Sequence, residues 1–170
     1  MIGWPPYILG LGGSPGDKLR PMSSIASLHV IKVSDLPAIV GAAGSARTGE
    51  AVRQFGAEQD QEYHWSGNVM LEVLNSLDAL GIRLEAAGLR DESEAINADF
   101  DYTVLITSDA KAFLDRLDPA AHDPGESFVG LAGLRLDEEE AGYALEDTLL
   151  LLRDTIARLS DDEVLLLNIG

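Results

Sequence analysis

What most limits the folds open to this chain is its last third, where a long amphipathic segment runs straight into a short, almost wholly apolar one. Asp137-Glu138-Glu139-Glu140 offers an N-cap with Glu at the third helical position, placing acids where a helix dipole favours negative charge. Ala141, Leu145, Leu149, Leu152, Ile156 and Leu159 then share one helical stripe, which predicts a helix over 138–159. After Ser160-Asp161-Asp162, the run Val164-Leu165-Leu166-Leu167-Asn168-Ile169 is too short for a second such helix. It reads as a strand buried on both faces, and therefore as a central strand. Such a strand needs partners upstream and helices on both sides of its sheet.

The upstream chain supplies them. Leu28-His29-Val30-Ile31-Lys32-Val33 is short and β-branched, and Ser34-Asp35-Leu36-Pro37 then offers a cap and an early-turn proline for a helix through about Ala43. A second helix is expected from Thr48 to roughly Gln59. Ser66 stands as the cap of a clearer one over 67–80, where Val69, Leu71, Val73, Leu74, Leu77 and Leu80 recur at helical spacing and Gly81 takes the C′ position. Tyr102-Thr103-Val104-Leu105-Ile106-Thr107 reads as a buried strand, Ser108-Asp109 as the cap of a helix over 109–117, and Pro119 as its stop. These elements predict a single α+β domain over residues 25–170, with a mixed β-sheet covered by helices and a long C-terminal helix followed by a buried terminal strand. At 170 residues one core suffices, because a chain of that size buries roughly 70% of its unfolded surface.

Residues 1–24 read differently, as a Gly/Pro-rich N-terminal arm with no sustained period. Gly10-Leu11-Gly12-Gly13-Ser14-Pro15-Gly16 invites comparison with a phosphate-binding loop. The comparison fails, because Gly16 is followed by Asp17-Lys18-Leu19 rather than Lys and a hydroxyl residue, and Asp17 would repel phosphate. The dinucleotide fingerprint fails too, since Gly10-Leu11-Gly12 leads to Pro15 and not to a third glycine. No cofactor is expected.

Charge divides the chain. Residues 1–53 carry five Lys/Arg against three Asp/Glu, and residues 54–170 seven against twenty-six, for a net charge of −17. A field of that size repels anions and attracts basic surfaces, so nucleic acid and anionic membrane surfaces are poor partners and a basic protein is a good one. The bland account of the same acids is solubility, capping and turn formation. Zero Cys excludes disulfides and thiolate metal sites and suits a reducing, cytoplasmic setting. No apolar run approaches the roughly 20 residues that span a bilayer.

The order of elements carries a resemblance. A strand leading into a short capped helix (His29 to Ala42), a Trp-containing helix (Trp65 to Leu80), the segment Tyr-Thr-Val-Leu-Ile-Thr-Ser-Asp-Ala-Lys, the stretch Asp-Pro-Ala-Ala-His-Asp, and a long helix ending in Asp-Glu-Val-Leu-Leu-Leu-Asn-Ile-Gly together resemble the YfbM-like family of uncharacterised bacterial proteins. The resemblance covers most of residues 27–170 and implies a small bacterial cytoplasmic α+β domain. It brings no catalytic residue.

Chemistry is therefore sought residue by residue. His64-Trp65-Ser66-Gly67-Asn68 gathers an imidazole, an indole, a hydroxyl and an amide at a helix entrance, which makes His64, Ser66 and Asn68 candidates for a small hydrolase or transferase site. A nucleophile also needs a base within reach and a group to orient that base, and adjacency in sequence supplies neither. The competing account has Ser66 as a cap, Trp65 as a packing residue and His64 as an exposed neighbour. Asp99 and Asp101 could share a hard cation if the chain there is extended, since alternate residues would then point the same way. Two ligands do not make a metal site, so none is assigned. His122-Asp123-Pro124-Gly125-Glu126 reads as a turn, and His29 as a packed histidine. The leading expectation is an acidic cytoplasmic binding protein, of the immunity or antitoxin type that inhibits a basic partner. A homo-oligomeric structural component using surplus leucines such as Leu150 is the third.

Overall fold

The computed structural model describes residues 24–59 and 62–170. Apart from Ser24, the expected N-terminal arm lies outside the described residues. Four strands form one sheet in the order β2-β1-β4-β3: β1 (Ala26–Lys32), β2 (Ala57–Gln59), β3 (Tyr102–Thr107) and β4 (Glu163–Ile169). The α-helices are α1 (Leu36–Ala43), α2 (Thr48–Phe55), α3 (Gly67–Ala79), α4 (Arg90–Asn97), the single turn α5 (Pro124–Ser127) and α6 (Glu138–Arg158). The α+β class holds, and β4 is central, with Val164 through Ile169 all buried.

The sheet is antiparallel at every pairing, where a mixed sheet was expected. The connections explain this. One helix between two neighbouring strands returns the chain parallel; two passes return it reversed. Helices α1 and α2 separate β1 from β2, and between β3 and β4 the two longest helical passes are the run at 108–117 and α6, with short turns, α5 among them, joining the two. A strand buried on both faces therefore does not require parallel neighbours; helices over each face are enough.

Alternation along the strands splits the interior in two. Leu28, Val104, Ile106, Leu165, Leu167 and Ile169 face α3 and α6 and join the larger apolar core. Ile31, Leu105, Val164 and Leu166 face the other way, onto Leu36 and Ile39 of α1, Ala51 and Val52 of α2, and Ile96 of α4. Helix α6 begins with the capping box its sequence predicts: Glu140 N donates to Asp137 Oδ1 at 2.8 Å and Asp137 N to Glu140 Oε2 at 3.0 Å. Its buried side chains include Leu145, Leu149, Leu152 and Ile156.

Four local expectations are corrected. The helix from Thr48 stops at Phe55, because Gly56 turns extended and residues 57–59 pair with Leu28, His29 and Val30 as β2. Residues 108–117 form 3-10 turns rather than an α-helix, and the Ser108 hydroxyl does not cap them; it donates to Asp161 Oδ1 at 2.9 Å. Neither Asp35 nor Ser66 makes a side-chain cap bond. At Ser66 the backbone serves instead, with Gly67 N donating to the Ser24 carbonyl at 2.9 Å. At 122–126 the expected turn is present, with Gly125 N donating to Asp123 Oδ1 at 2.9 Å, but it leads into a single helical turn over Pro124–Ser127.

Candidate functional site

Residues 62–65 cross the outer side of α6 and, with it, line a groove of about 500 Å³. Helix α6 contributes Asp147, Leu150, Asp154 and Arg158, spaced three and four apart and thus stacked along one face. The crossing segment contributes Glu62, Tyr63, His64 and Trp65.

Two hydrogen bonds fix the segment to the helix. Trp65 Nε1 donates to Asp147 Oδ2 at 2.8 Å, and Tyr63 Oη lies 2.8 Å from Thr148 Oγ1. Thr148 spends its one hydroxyl hydrogen on the Ala144 carbonyl at 2.6 Å, so the phenol donates to Thr148. Burial pushes the Tyr63 phenol up to about 12, which keeps that donor in place at any physiological pH. Trp65 is half-buried against the larger core, while His64 is exposed and packs on the indole with ring centroids 4.7 Å apart and a 34° tilt. The groove thus has a rigid aromatic wall, the carboxylates of Glu62, Asp147 and Asp154 around it, and the Arg158 guanidinium among them.

The individually suspected residues divide. His64 lines the groove. Ser66 is half-buried, bridges to Ile25 and enters α3, and Asn68 lies in the first turn of that helix. No hydrogen bond links His64, Ser66 and Asn68 among the described residues. Asp99 and Asp101 are not on extended chain: Asp101 has φ +48°, a left-handed conformation that Asp tolerates better than most residues. The premise of two carboxylates pointing together therefore fails. Asp99 Oδ2 instead accepts from Thr48 N at 3.0 Å and Thr48 Oγ1 at 2.7 Å, supplying a cap to α2 from 51 residues away. The hydroxyl and amide of Thr48 hold the Asp99 carboxyl below its ordinary value. Asp101 Oδ2 lies against Gly170, so close that a Cβ there would sit 2.6 Å from it. Among the described residues no group of three His, Asp or Glu could hold a metal ion, and no helix is long and apolar enough to cross a membrane.

Asp147, Asp154 and Arg158 were not singled out in the sequence, where they read as the solvated face of a long helix. The available signal was Leu150, an apolar residue off the main stripe with Asp147 three residues before it and Asp154 four after. Comparison of the chain with protein-family models, curated proteins and solved structures found no match.

Proposed function

We propose that this chain is a non-enzymatic binding protein whose groove between residues 62–65 and α6 receives a basic segment of a partner protein, in the manner of an immunity or antitoxin protein. The observation that carries this reading is the meeting of Glu62, Asp147 and Asp154 with the Trp65 indole in one groove, on a chain of net charge −17. An indole beside carboxylates suits a guanidinium, which takes cation–π attraction from the ring and charge-assisted hydrogen bonds from the acids. Because Asp147 and the Tyr63–Thr148 bond already hold the aromatic wall, little side-chain freedom is lost on binding. Arg158 repels a second cation at its own position and so helps set the register of the guest. The long-range acidic field speeds encounter with a basic surface. A cytoplasmic setting accords with the absence of Cys.

The test is capture from the protein's own cells at low salt. A basic protein should be retained, and Trp65→Ala or the pair Asp147→Asn with Asp154→Asn should each weaken retention by at least about tenfold, as loss of a central anchor does. Recovery of no basic protein, or equal capture by both variants, overturns the reading.

A further inference from the structure

A second cavity, of about 510 Å³, lies at the outer edge of β3 and is independent of the α6 groove. Gly81, with φ +79°, turns the chain after α3, and Ile82 N donates to the Leu77 carbonyl at 2.8 Å. The chain then returns to the sheet edge, where Ala86 N donates to the Leu105 carbonyl at 2.8 Å. Between those two anchors Ile82, Arg83, Leu84 and Glu85 line one side of the cavity.

The floor is apolar, made by Leu74, Ile82, Leu84 and Val104, the last three of them buried. The rim carries both signs of charge: Asp78 and Glu85, Arg83 and Arg90. Arg83 and Asp78 neutralise each other, with Arg83 Nε 2.9 Å from Asp78 Oδ1. Among the described residues, Glu85, Arg90 and the Tyr102 hydroxyl have no hydrogen-bond or ion-pair partner, and Tyr102 is 43% exposed across the mouth. Burial, then Glu85 and Asp78, raises the Tyr102 phenol, so it stays protonated and available to bond.

We propose that this cavity binds a small zwitterion with a large apolar side chain, a free amino acid such as leucine or phenylalanine. Its ammonium group meets Glu85 and the Tyr102 hydroxyl, its carboxylate meets Arg90, and its side chain covers the apolar floor. Other ligand classes fit less well. A wholly apolar molecule would engage neither Glu85 nor Arg90. A simple anion would leave Glu85 without a partner, and a simple cation would leave Arg90 without one. The volume is of the size that holds small ligands, and a few fixed polar groups over an apolar floor is the usual composition of such sites.

The experiment is a nuclear magnetic resonance titration of the full chain with L-leucine and L-phenylalanine, set against 3-methylbutylamine and 4-methylpentanoate, which each keep one charge. At least one amino acid should shift Leu74, Leu84, Tyr102 and Val104 resonances saturably, with each single-charge analogue at least about tenfold weaker. Glu85→Gln and Arg90→Gln, both at exposed positions, should each weaken amino acid binding by a similar factor without unfolding the chain. No saturable shift at millimolar amino acid, an analogue that binds equally well, or binding unchanged in both variants overturns the proposal. None of these outcomes bears on the α6 groove.

Discussion

The two faces of the sheet are held by different means. Against α3 and α6 the interior is a broad apolar layer, continuous from Leu28 through Leu165 and Leu167 to Leu149, Leu152 and Ile156. Against α1, α2 and α4 the apolar cluster is smaller and more of the buried side chains are polar: His29, Thr48, Ser93, Thr103 and Asn168 lie there or at its margin, against Thr148 and Thr155 on α6. Thr48, Thr103 and Asn168 are bonded to residues remote in sequence, whereas His29 Nδ1 and Ser93 Oγ have no partner. Asn168 Nδ2 donates to the Phe100 carbonyl at 2.6 Å and to Thr103 Oγ1 at 3.1 Å, the Asn97 side chain accepts from Thr103 N, and Asp99 caps α2 through Thr48. One face thus draws on area removed from water, which tolerates repacking, and the other on directed bonds, which do not.

The sharpest way to break this comparison is to remove apolar volume from the first face. Leu152→Ala, at a fully buried site, should cost about 3–5 kcal/mol in urea denaturation, and a loss below about 1 kcal/mol would show that the layer is not close-packed. Next comes the polar face, where Asn168→Ala strips donors from two carbonyls and should cost about 2–3 kcal/mol. A cost no greater than that of an exposed substitution would mean the network contributes nothing.

Smaller effects follow pH. His29 is buried with Nδ1 unpartnered, and burial holds its pKa below 6.5, with Glu58 opposing. The unfolded chain therefore takes up this proton first, so stability is full above 6.5 and declines as pH falls below it. Urea midpoints measured on either side of that value should show the decline, and His29→Gln should flatten it; an equal slope in the variant assigns the decline elsewhere. The smallest expected change is at Asp99. Its lowered pKa contributes stability above 3.8 that is lost as pH falls through the folded value. Asp99→Asn should reduce the loss on acidification and lower the midpoint slightly at neutral pH, less than Asn168→Ala does.

The same division explains which parts of the fold the sequence made legible. Helix α6, β3 and β4 announce themselves because their apolar residues repeat at a local period, and the first face is built from such segments. Strand β2 has no such signal: Ala57-Glu58-Gln59 is extended because Leu28, His29 and Val30 offer it a ladder, which is a tertiary cause. Helix α4 is nearly all polar, with Ile96 as its one buried apolar side chain, so no stripe marks it. The bond from Asp99 to Thr48 joins residues with nothing in their neighbourhoods to connect them. At the groove, Trp65 and His64 stand out by type, but Asp147, the partner of Trp65, lies 82 residues on and looks like any solvated helix acid until the chain crosses over it.

The place of β4 has a consequence for how the chain acquires its structure. Residues 163–169 pair with 26–32 across separations of 131 residues or more, and the side chains of this one strand enter both interiors. Neither interior closes until that segment arrives. During synthesis, β1 and its helices are made well before the strand that completes either interior, a topology that favours slow, highly non-local closure. Once docked, the strand is paired along both edges and shielded on both faces, so its amide hydrogens should exchange only when the whole domain opens.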